Sequence, residues 1–225
     1  MLPKNQISVH RRIAEAVTLR LQYDFLCFKG NMMNESYLIH TVAEILISFF
    51  GSQEYEIHTG FIHPILGIQA PSKVGRKPEI DFVVTRRGKT EIEHAIELKW
   101  AGSSHCDFDN ILWDLTRLYF VKQAAPTGSC ALLIAGYSSN FKKLFNGKYL
   151  KQGTQHPFAQ SPSKAKNFSL TANLNHQTKI NKLIYSWQQD YPNLVFPDLI
   201  STHLIDPRFS APEESRFSSK IWTLI

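Results

Sequence analysis

The stretches PEID (residues 78–81) and EIEHAIELKW (residues 91–100) decide how this chain of 225 residues folds. In the second stretch, apolar and charged residues alternate, which is the period-two pattern of a strand with one buried face. The first stretch continues with the same alternation to residue 85, and the polar turn RRGK (residues 86–89) separates the two. The pattern therefore predicts an antiparallel hairpin.

Three charged side chains of this hairpin are candidates for one site. Glu97 and Lys99 project from the same face of the second strand, because they are two residues apart. Asp81 lies on the first strand, on the face opposite to Ile80 and Phe82. If the register aligns the polar faces, two carboxylates meet beside an ammonium group. Such carboxylates suit a hard cation, and the lysine adds a positive charge next to it.

The order of Asp81, Glu97, Leu98 and Lys99 on adjacent strands resembles the PD-(D/E)XK nuclease superfamily, which includes many restriction and DNA-repair endonucleases. The resemblance covers roughly residues 34–137 by order of elements, and about four residues by motif. It implies a restriction-endonuclease-like three-layer α/β fold, in which helices flank a central mixed β-sheet.

The resemblance also implies the chemistry. Asp81, Glu97 and the Leu98 carbonyl would hold Mg²⁺, for which Mn²⁺ can substitute, and Lys99 would orient the nucleophile and stabilise developing charge. The products would carry 5′-phosphate and 3′-hydroxyl ends. The proline of the motif stands three positions before Asp81 rather than directly before it, so Glu79 is an alternative for the same role.

A predicted helix at 35–50, with Asn34 as its N-cap, offers another carboxylate. At the helical rotation of 100° per residue, Glu35 lies about 40° from the centre of the apolar stripe and Glu44 about 140° away. We therefore expect Glu35 to face inward as the auxiliary carboxylate and Glu44 to face water, with Glu44 as the alternative. The helix dipole alone would also account for Glu35.

The other patterns predict a single domain. Helices are expected at 8–25, 107–123, 140–146 and 178–189, strands at 54–62, 131–137, 198–205 and 218–225, and loops at 64–78 and 147–175. The strand, helix and strand between 91 and 137 form one βαβ unit. We predict one nuclease-like domain over 1–225, with its core at about 34–137 and a basic C-terminal elaboration at 138–225.

The net charge of +6 is distributed unevenly, since no acidic residue stands between Asp114 and Asp190. A one-sided basic segment favours a polyanion such as DNA, although it also fits a solvated lysine surface. The basic residues of this interval are Arg117, Lys122, Lys142, Lys143, Lys148, Lys151, Lys164, Lys166, Lys179 and Lys182. We expect DNA phosphate contacts from Lys73, Arg76, Lys77, Lys142, Lys143 and Lys148.

Composition excludes several classes of protein. The longest apolar runs are too short to cross a bilayer, so no membrane association is expected. Three widely spaced cysteines predict free thiols in a reducing compartment, hence a cytoplasmic protein. By analogy, a restriction or defence endonuclease is expected first. The alternatives are a structure-specific repair or recombination nuclease, a non-catalytic nucleic-acid-binding protein, and a module that binds an acidic protein. Cleavage of both strands by one active site per chain would suggest a homodimer.

Overall fold

One mixed sheet of seven strands organises the computed structural model, which describes residues 8–69, 78–145, 166–168, 185–189, 195–197, 200–207 and 212–224. The strands are β1 (Tyr55–Phe61), β2 (Ile80–Arg86), β3 (Ile92–Ala101), β4 (Ser129–Tyr137), β5 (Lys166–Phe168), β6 (Ile200–Ile205) and β7 (Phe217–Leu224). Their order across the sheet is β1-β2-β3-β4-β7-β6-β5. Strands β3 and β4 run parallel, and the other neighbours are antiparallel.

Helices cover both faces of this sheet. Helices α1 (Val9–Leu26) and α2 (Glu35–Phe50) pack on one face. Helices α3 (Pro64–Gln69), α4 (Phe108–Ala124) and α5 (Ser138–Phe145) pack on the other. The prediction of an α/β fold with a mixed sheet and flanking helices is therefore confirmed. None of the helices in the described part of the chain is long and apolar enough to cross a membrane.

Short polar side chains begin the three long helices. Asn34 is the N-cap of α2, and its side chain accepts a hydrogen bond from the Tyr37 amide at 3.0 Å. Asp107 caps α4 in the same way through the Asn110 amide at 2.8 Å. Such caps satisfy amides that have no partner within the first turn. They explain why these helices begin within one residue of the predicted positions.

Two expectations about local structure are wrong. Residues 64–69, predicted as loop, form α3, because a proline is well tolerated at the first helical position and Leu66 is fully buried against the core of α4. The His63 imidazole accepts a hydrogen bond from the Ile65 amide at 3.3 Å and so supports the start of α3. A short strand, β5, lies within the predicted loop at 147–175. Of the helix predicted at 178–189, residues 185–189 are described and are helical.

Strands β2 and β3 are covered on both faces, which corrects the expectation of a half-exposed hairpin. Phe82 and Leu98 belong to the core that includes α1 and α2, whereas Val83 and Ala95 belong to the core that includes α4. The charged face of β3 is thus covered by α4, and Glu97 is only 6% exposed. Because isolated charges are unfavourable in such a layer, this face requires charged partners from the helix.

A buried carboxylate joins α1 to α2. Asp24, which is 1% exposed, accepts hydrogen bonds from Arg20 at 2.7 Å, Lys29 at 2.8 Å and the Tyr37 hydroxyl at 2.8 Å. Burial opposes its ionisation, but the hydrogen bonds from Lys29, Tyr37 and Arg20 outweigh burial and lower the pKa of Asp24. This interaction holds the first turn of α2, which contains Glu35, against the end of α1.

We expect Asp24→Asn to lower the free energy of unfolding at pH 7 by about 2 kcal/mol, since hydrogen bonds between charged groups are lost. Urea denaturation followed by circular dichroism measures the change. Glu15→Gln is the matched control, because Glu15 forms an ion pair with Arg11 on the same helix with both side chains about one third exposed. The control should change stability by less than about 0.5 kcal/mol. Equal effects from the two substitutions would contradict the structural role of Asp24.

Candidate active site

The pairing of β2 with β3 brings two of the predicted site residues together. Phe82 pairs with Ile96 and Val83 pairs with Ala95, so the same antiparallel register aligns Asp81 with Glu97. Directly opposed residues of antiparallel strands share a face of the sheet. The prediction that Asp81 and Glu97 share one face is therefore confirmed by the geometry.

Beyond the pair of Phe82 with Ile96, a hydrogen bond to the Asp81 side chain replaces the backbone pairing between β2 and β3. Asp81 Oδ2 accepts a hydrogen bond from the Leu98 amide at 2.7 Å. The carboxylate thus satisfies the amide just beyond the backbone pair of Phe82 with Ile96. This hydrogen bond fixes the position of the Asp81 side chain. The alternative carboxylate, Glu79, lies elsewhere: its Oε2 is beside Gly60 of β1, where a Cβ atom would approach within 3.2 Å. The geometry favours Asp81 over Glu79.

Two charged residues of α4 complete a buried network. Lys99 Nζ lies 3.1 Å from Asp114 Oδ2, and Arg117 Nη1 lies 3.0 Å from Asp114 Oδ1 and 3.5 Å from Glu97 Oε1. Arg117 also donates a hydrogen bond to the Glu79 carbonyl. Side-chain exposure in this network is between 5% and 14%. Each charge is therefore paired within a largely dry layer.

The network changes the proton affinity of its members. Burial, followed by the charges of Asp114 and Asp81, raises the pKa of Glu97 well above 4.5, although Arg117 and Lys99 oppose the rise. Burial also raises the pKa of Asp81, against the Leu98 hydrogen bond and the Lys99 charge. Burial alone would lower the pKa of Lys99, but Asp114 and Glu97 outweigh burial and raise it. Lys99 is therefore cationic at neutral pH, and the carboxylates lack full charge compensation.

Glu35 reaches the same site from the first turn of α2. Its residue is half-buried, and its charge contributes to the raised pKa of both Asp81 and Lys99. Glu44 is exposed, forms an ion pair with Arg20 at 3.1 Å and lies 3.3 Å from His40 Nε2. The predicted orientations of the two glutamates are confirmed, and Glu35 is the one within electrostatic range of the hairpin.

Asp114 and Arg117 were not predicted as site residues. The sequence carries a positional signal for Asp114, which borders the apolar stripe of α4 formed by Ile111, Leu115 and Leu118 and is buried. Arg117 lies outside that stripe and is half-buried, so the sequence gives no such signal for it. A charged residue at a core-facing helical position requires a buried partner. That partner is evident only once the charged face of β3 is known to lie beneath α4.

The predicted DNA contacts are only partly within the described residues. Lys142 and Lys143 are exposed on α5, whereas Lys73, Arg76, Lys77 and Lys148 lie outside the described residues. Two members of the acid-free interval have other partners. Arg117 belongs to the buried network, and Lys122 donates to the carbonyls of Pro126 at 3.0 Å and Gly128 at 2.9 Å. These two cations therefore already have partners within the chain.

The donor chemistry of the site fits a hard divalent cation. Asp81 and Glu97 offer oxygen atoms, which Mg²⁺ prefers as ligands, and burial first and neighbouring carboxylates second raise the pKa of both groups. In the described part of the chain, no three histidine, cysteine, aspartate or glutamate side chains are grouped closely enough to hold a metal ion. A cation here would therefore depend on two carboxylates, a backbone carbonyl such as that of Leu98, and retained waters, a coordination typical of Mg²⁺.

We expect Glu97→Gln to stabilise the metal-free protein at pH 8. Because the native pKa of Glu97 lies above its unfolded value, the unfolded chain loses its proton first as pH rises. The free energy of unfolding of the wild type then falls by about 1.4 kcal/mol per pH unit above about pH 4.5, until Glu97 also ionises in the native state. Urea denaturation from pH 4 to pH 8 should show the two proteins diverging over this window.

The matched control for this measurement is Glu93→Gln. Glu93 lies four residues earlier in β3 and forms a more exposed ion pair with Arg86 at 2.9 Å. Its replacement should shift stability by less than about 1 kcal/mol at any pH in the range. If Glu97→Gln were less stable than the wild type at pH 8, the contact between Glu97 and Arg117 would outweigh the cost of burying the Glu97 charge.

Comparisons with protein-family models, curated proteins and solved structures found no match for this chain.

Proposed function

We propose that this protein is a Mg²⁺-dependent endonuclease that hydrolyses DNA phosphodiester bonds at the Asp81, Glu97 and Lys99 site. The observation on which this depends is the alignment of Asp81 with Glu97 on neighbouring strands, with Lys99 two residues further on the same strand. Two carboxylates and an ammonium on one face of a sheet match the needs of phosphodiester hydrolysis, which include metal binding and charge stabilisation.

The order of elements supports a restriction-endonuclease-like fold for the same proposal. Helix α2 is followed by β1, β2 and β3 in sequential order across the sheet, and α4 then connects β3 to the parallel strand β4. This order is the one that the resemblance to PD-(D/E)XK nucleases implies, with Glu35 on the preceding helix. The site lies near the carboxyl ends of β3 and β4, where α/β folds generally bind ligands.

In this proposal, Asp81 and Glu97 would hold the cation. Because Asp81 Oδ2 already accepts the Leu98 amide, Oδ1 is the oxygen that would face the cation. When bound, Mg²⁺ neutralises phosphate charge and lowers the pKa of a coordinated water. Glu35, at the edge of the same site, would orient a water molecule. The products would carry 5′-phosphate and 3′-hydroxyl ends, as the resemblance implies.

Lys99 would act as a fixed positive charge rather than as a proton acceptor. Its raised pKa keeps the ammonium protonated at neutral pH, and the contact with Asp114 at 3.1 Å orients it. A protonated lysine can stabilise the negative charge that develops on the phosphate oxygens. Asp114 and Arg117 would then be positioning residues, since they contact Lys99 and Glu97.

We expect Asp81→Asn and Lys99→Met to lower the rate of DNA cleavage in Mg²⁺ by at least about a hundredfold. The asparagine can still accept the Leu98 hydrogen bond, so it removes charge while retaining the local contact. Cleavage of a mixture of supercoiled, linear, gapped and single-stranded DNA is measured under single-turnover conditions. Calorimetric titration with Mg²⁺ should show binding to the wild type and at least about tenfold weaker binding to Asp81→Asn.

Glu93→Gln, purified in the same way, is the control for contaminating nucleases and for the loss of a β3 carboxylate. It should retain wild-type cleavage within about twofold, since Glu93 pairs with Arg86 away from the site. Equal cleavage by the wild type and Asp81→Asn would refute the active-site assignment. Salt-sensitive DNA binding without metal-dependent cleavage would instead support the non-catalytic alternative.

A further inference from the structure

Phe28 occupies a backbone position that normally requires glycine. After α1 ends at Leu26, the Phe28 amide donates to the Phe25 carbonyl at 3.0 Å and the Lys29 amide donates to the Asp24 carbonyl at 3.1 Å. These two hydrogen bonds form a Schellman motif, whose central residue adopts the left-handed conformation and is usually glycine. Here the residue is Phe28, with φ of 63°.

The Phe28 side chain makes no packing contacts with other described residues that could offset this strain. Its exposed fraction is 97%, the highest among the exposed large hydrophobic residues in the described part of the chain. A bulky residue in the left-handed region is disfavoured by about 1–2 kcal/mol. A single exposed apolar residue is ordinary on a protein surface, but one held in a strained conformation is a candidate for function.

The loop that holds Phe28 lies against the carboxyl end of β4 and leads into the first turn of α2. A Cβ atom on Gly30 would lie 3.8 Å from the hydroxyl of Tyr137, the last residue of β4. The loop continues to Asn34 and Glu35, and the Glu35 charge acts on Asp81 and Lys99. It therefore lies at the edge of the sheet where β3 and β4 end, which is also the edge nearest to the site.

We propose that Phe28 stacks on an unpaired base of the DNA substrate, next to the phosphodiester bond that the site cleaves. This inference rests on the proposed function and specifies its substrate as DNA with an unpaired segment at the cleavage position. An aromatic ring recognises a base through its flat face, which is accessible in single-stranded, gapped or branched DNA but covered in a continuous duplex.

The composition of the loop suits this partner. Residues 27–34 contain Lys29 and no acidic residue, so the loop does not repel phosphates. Met32, 61% exposed, adds a second apolar side chain to the same loop. A row of exposed apolar residues on α1, which includes Leu19 at 54%, makes a second copy of the chain the competing occupant. The strain at Phe28 is specific to the loop, which favours the base.

The substitution Phe28→Gly removes both the backbone strain and the aromatic ring, and the effect of the strain is measured as stability in the absence of DNA. Because glycine adopts the left-handed conformation without a steric penalty, the substitution should raise Tm by about 3 °C. A fall in Tm would overturn the inference, since it would show that the Phe28 side chain stabilises the fold. The measurement is differential scanning calorimetry of the full chain without DNA.

The binding test uses two oligonucleotides of one sequence, a continuous duplex and a duplex with a three-nucleotide gap, each containing 2-aminopurine at the same position. Ca²⁺ replaces Mg²⁺ to suppress cleavage. Phe28→Gly and Phe28→Leu should bind the gapped DNA about tenfold more weakly and lose the 2-aminopurine quenching, whereas Phe28→Trp should retain both within about twofold. Affinity for the continuous duplex should change by less than about twofold in every variant.

The control is Leu19→Ser, which removes an exposed apolar side chain from α1 about two turns before its end. It should bind both oligonucleotides like the wild type. Gapped-DNA affinity unchanged in Phe28→Gly would overturn the inference and leave the endonuclease proposal intact. If Phe28→Gly lost affinity for the gapped DNA while the wild type showed no cleavage, base stacking by Phe28 would be supported and the endonuclease proposal would be rejected. Reduced self-association of both Phe28→Gly and Leu19→Ser in sedimentation, with unchanged DNA binding, would assign the surface to a second copy.

Discussion

The hydrogen bond from the Leu98 amide to Asp81 is the constraint on which the site depends. In a continuous antiparallel ladder, that amide would pair with a backbone carbonyl and the strands would stay closed. Asp81 accepts it instead, just beyond the backbone pair of Phe82 with Ile96, on the face of the sheet that it shares with Glu97. One side chain thus satisfies a backbone amide and holds a carboxylate in line with Glu97. The same contact sets the position of Lys99, because it fixes the strand on which that lysine lies.

Helix α4 makes this arrangement compatible with a folded protein. Glu97 and Lys99 lie on a face that is covered on folding, so each requires a charged partner. Asp114 and Arg117 supply these partners from one turn of the helix. The compensation is incomplete, because three carboxylates share two cations. Burial and then the charges of Asp114 and Asp81 raise the pKa of Glu97, so its ionisation opposes folding. In the proposed function, a divalent cation would offset this charge.

The sequence allowed the hairpin and its three charged residues to be predicted, because strand alternation and turn chemistry are local signals. The alternation predicted that Asp81 and Glu97 share a face only if the register allowed it, and the pairing of β2 with β3 supplies that register. Asp114 and Arg117 could not be assigned, since charged residues on a helix acquire their partners only through tertiary packing. The six-residue α3 was missed for a related reason, because a segment shorter than two turns shows little periodicity. Phe28 gave no local signal either, since nothing in its side chain indicates a left-handed backbone.

The polar groups at the two ends of β3 differ in their effect on the stability of the fold. At the amino edge of β3, His94 Nδ1 lies 2.7 Å from the Ser129 hydroxyl, and the His10 ring contacts both His94 and Thr223 at 3.3 Å. Burial and then the His94 charge lower the pKa of His10 to about 3, so this polar cluster is neutral and satisfied, as a structural core requires. At the carboxyl edge, by contrast, raised carboxyl pKa values and the strained Phe28 both oppose folding. Backbone strain and raised carboxyl pKa values are typical of residues that function, rather than packing, determines.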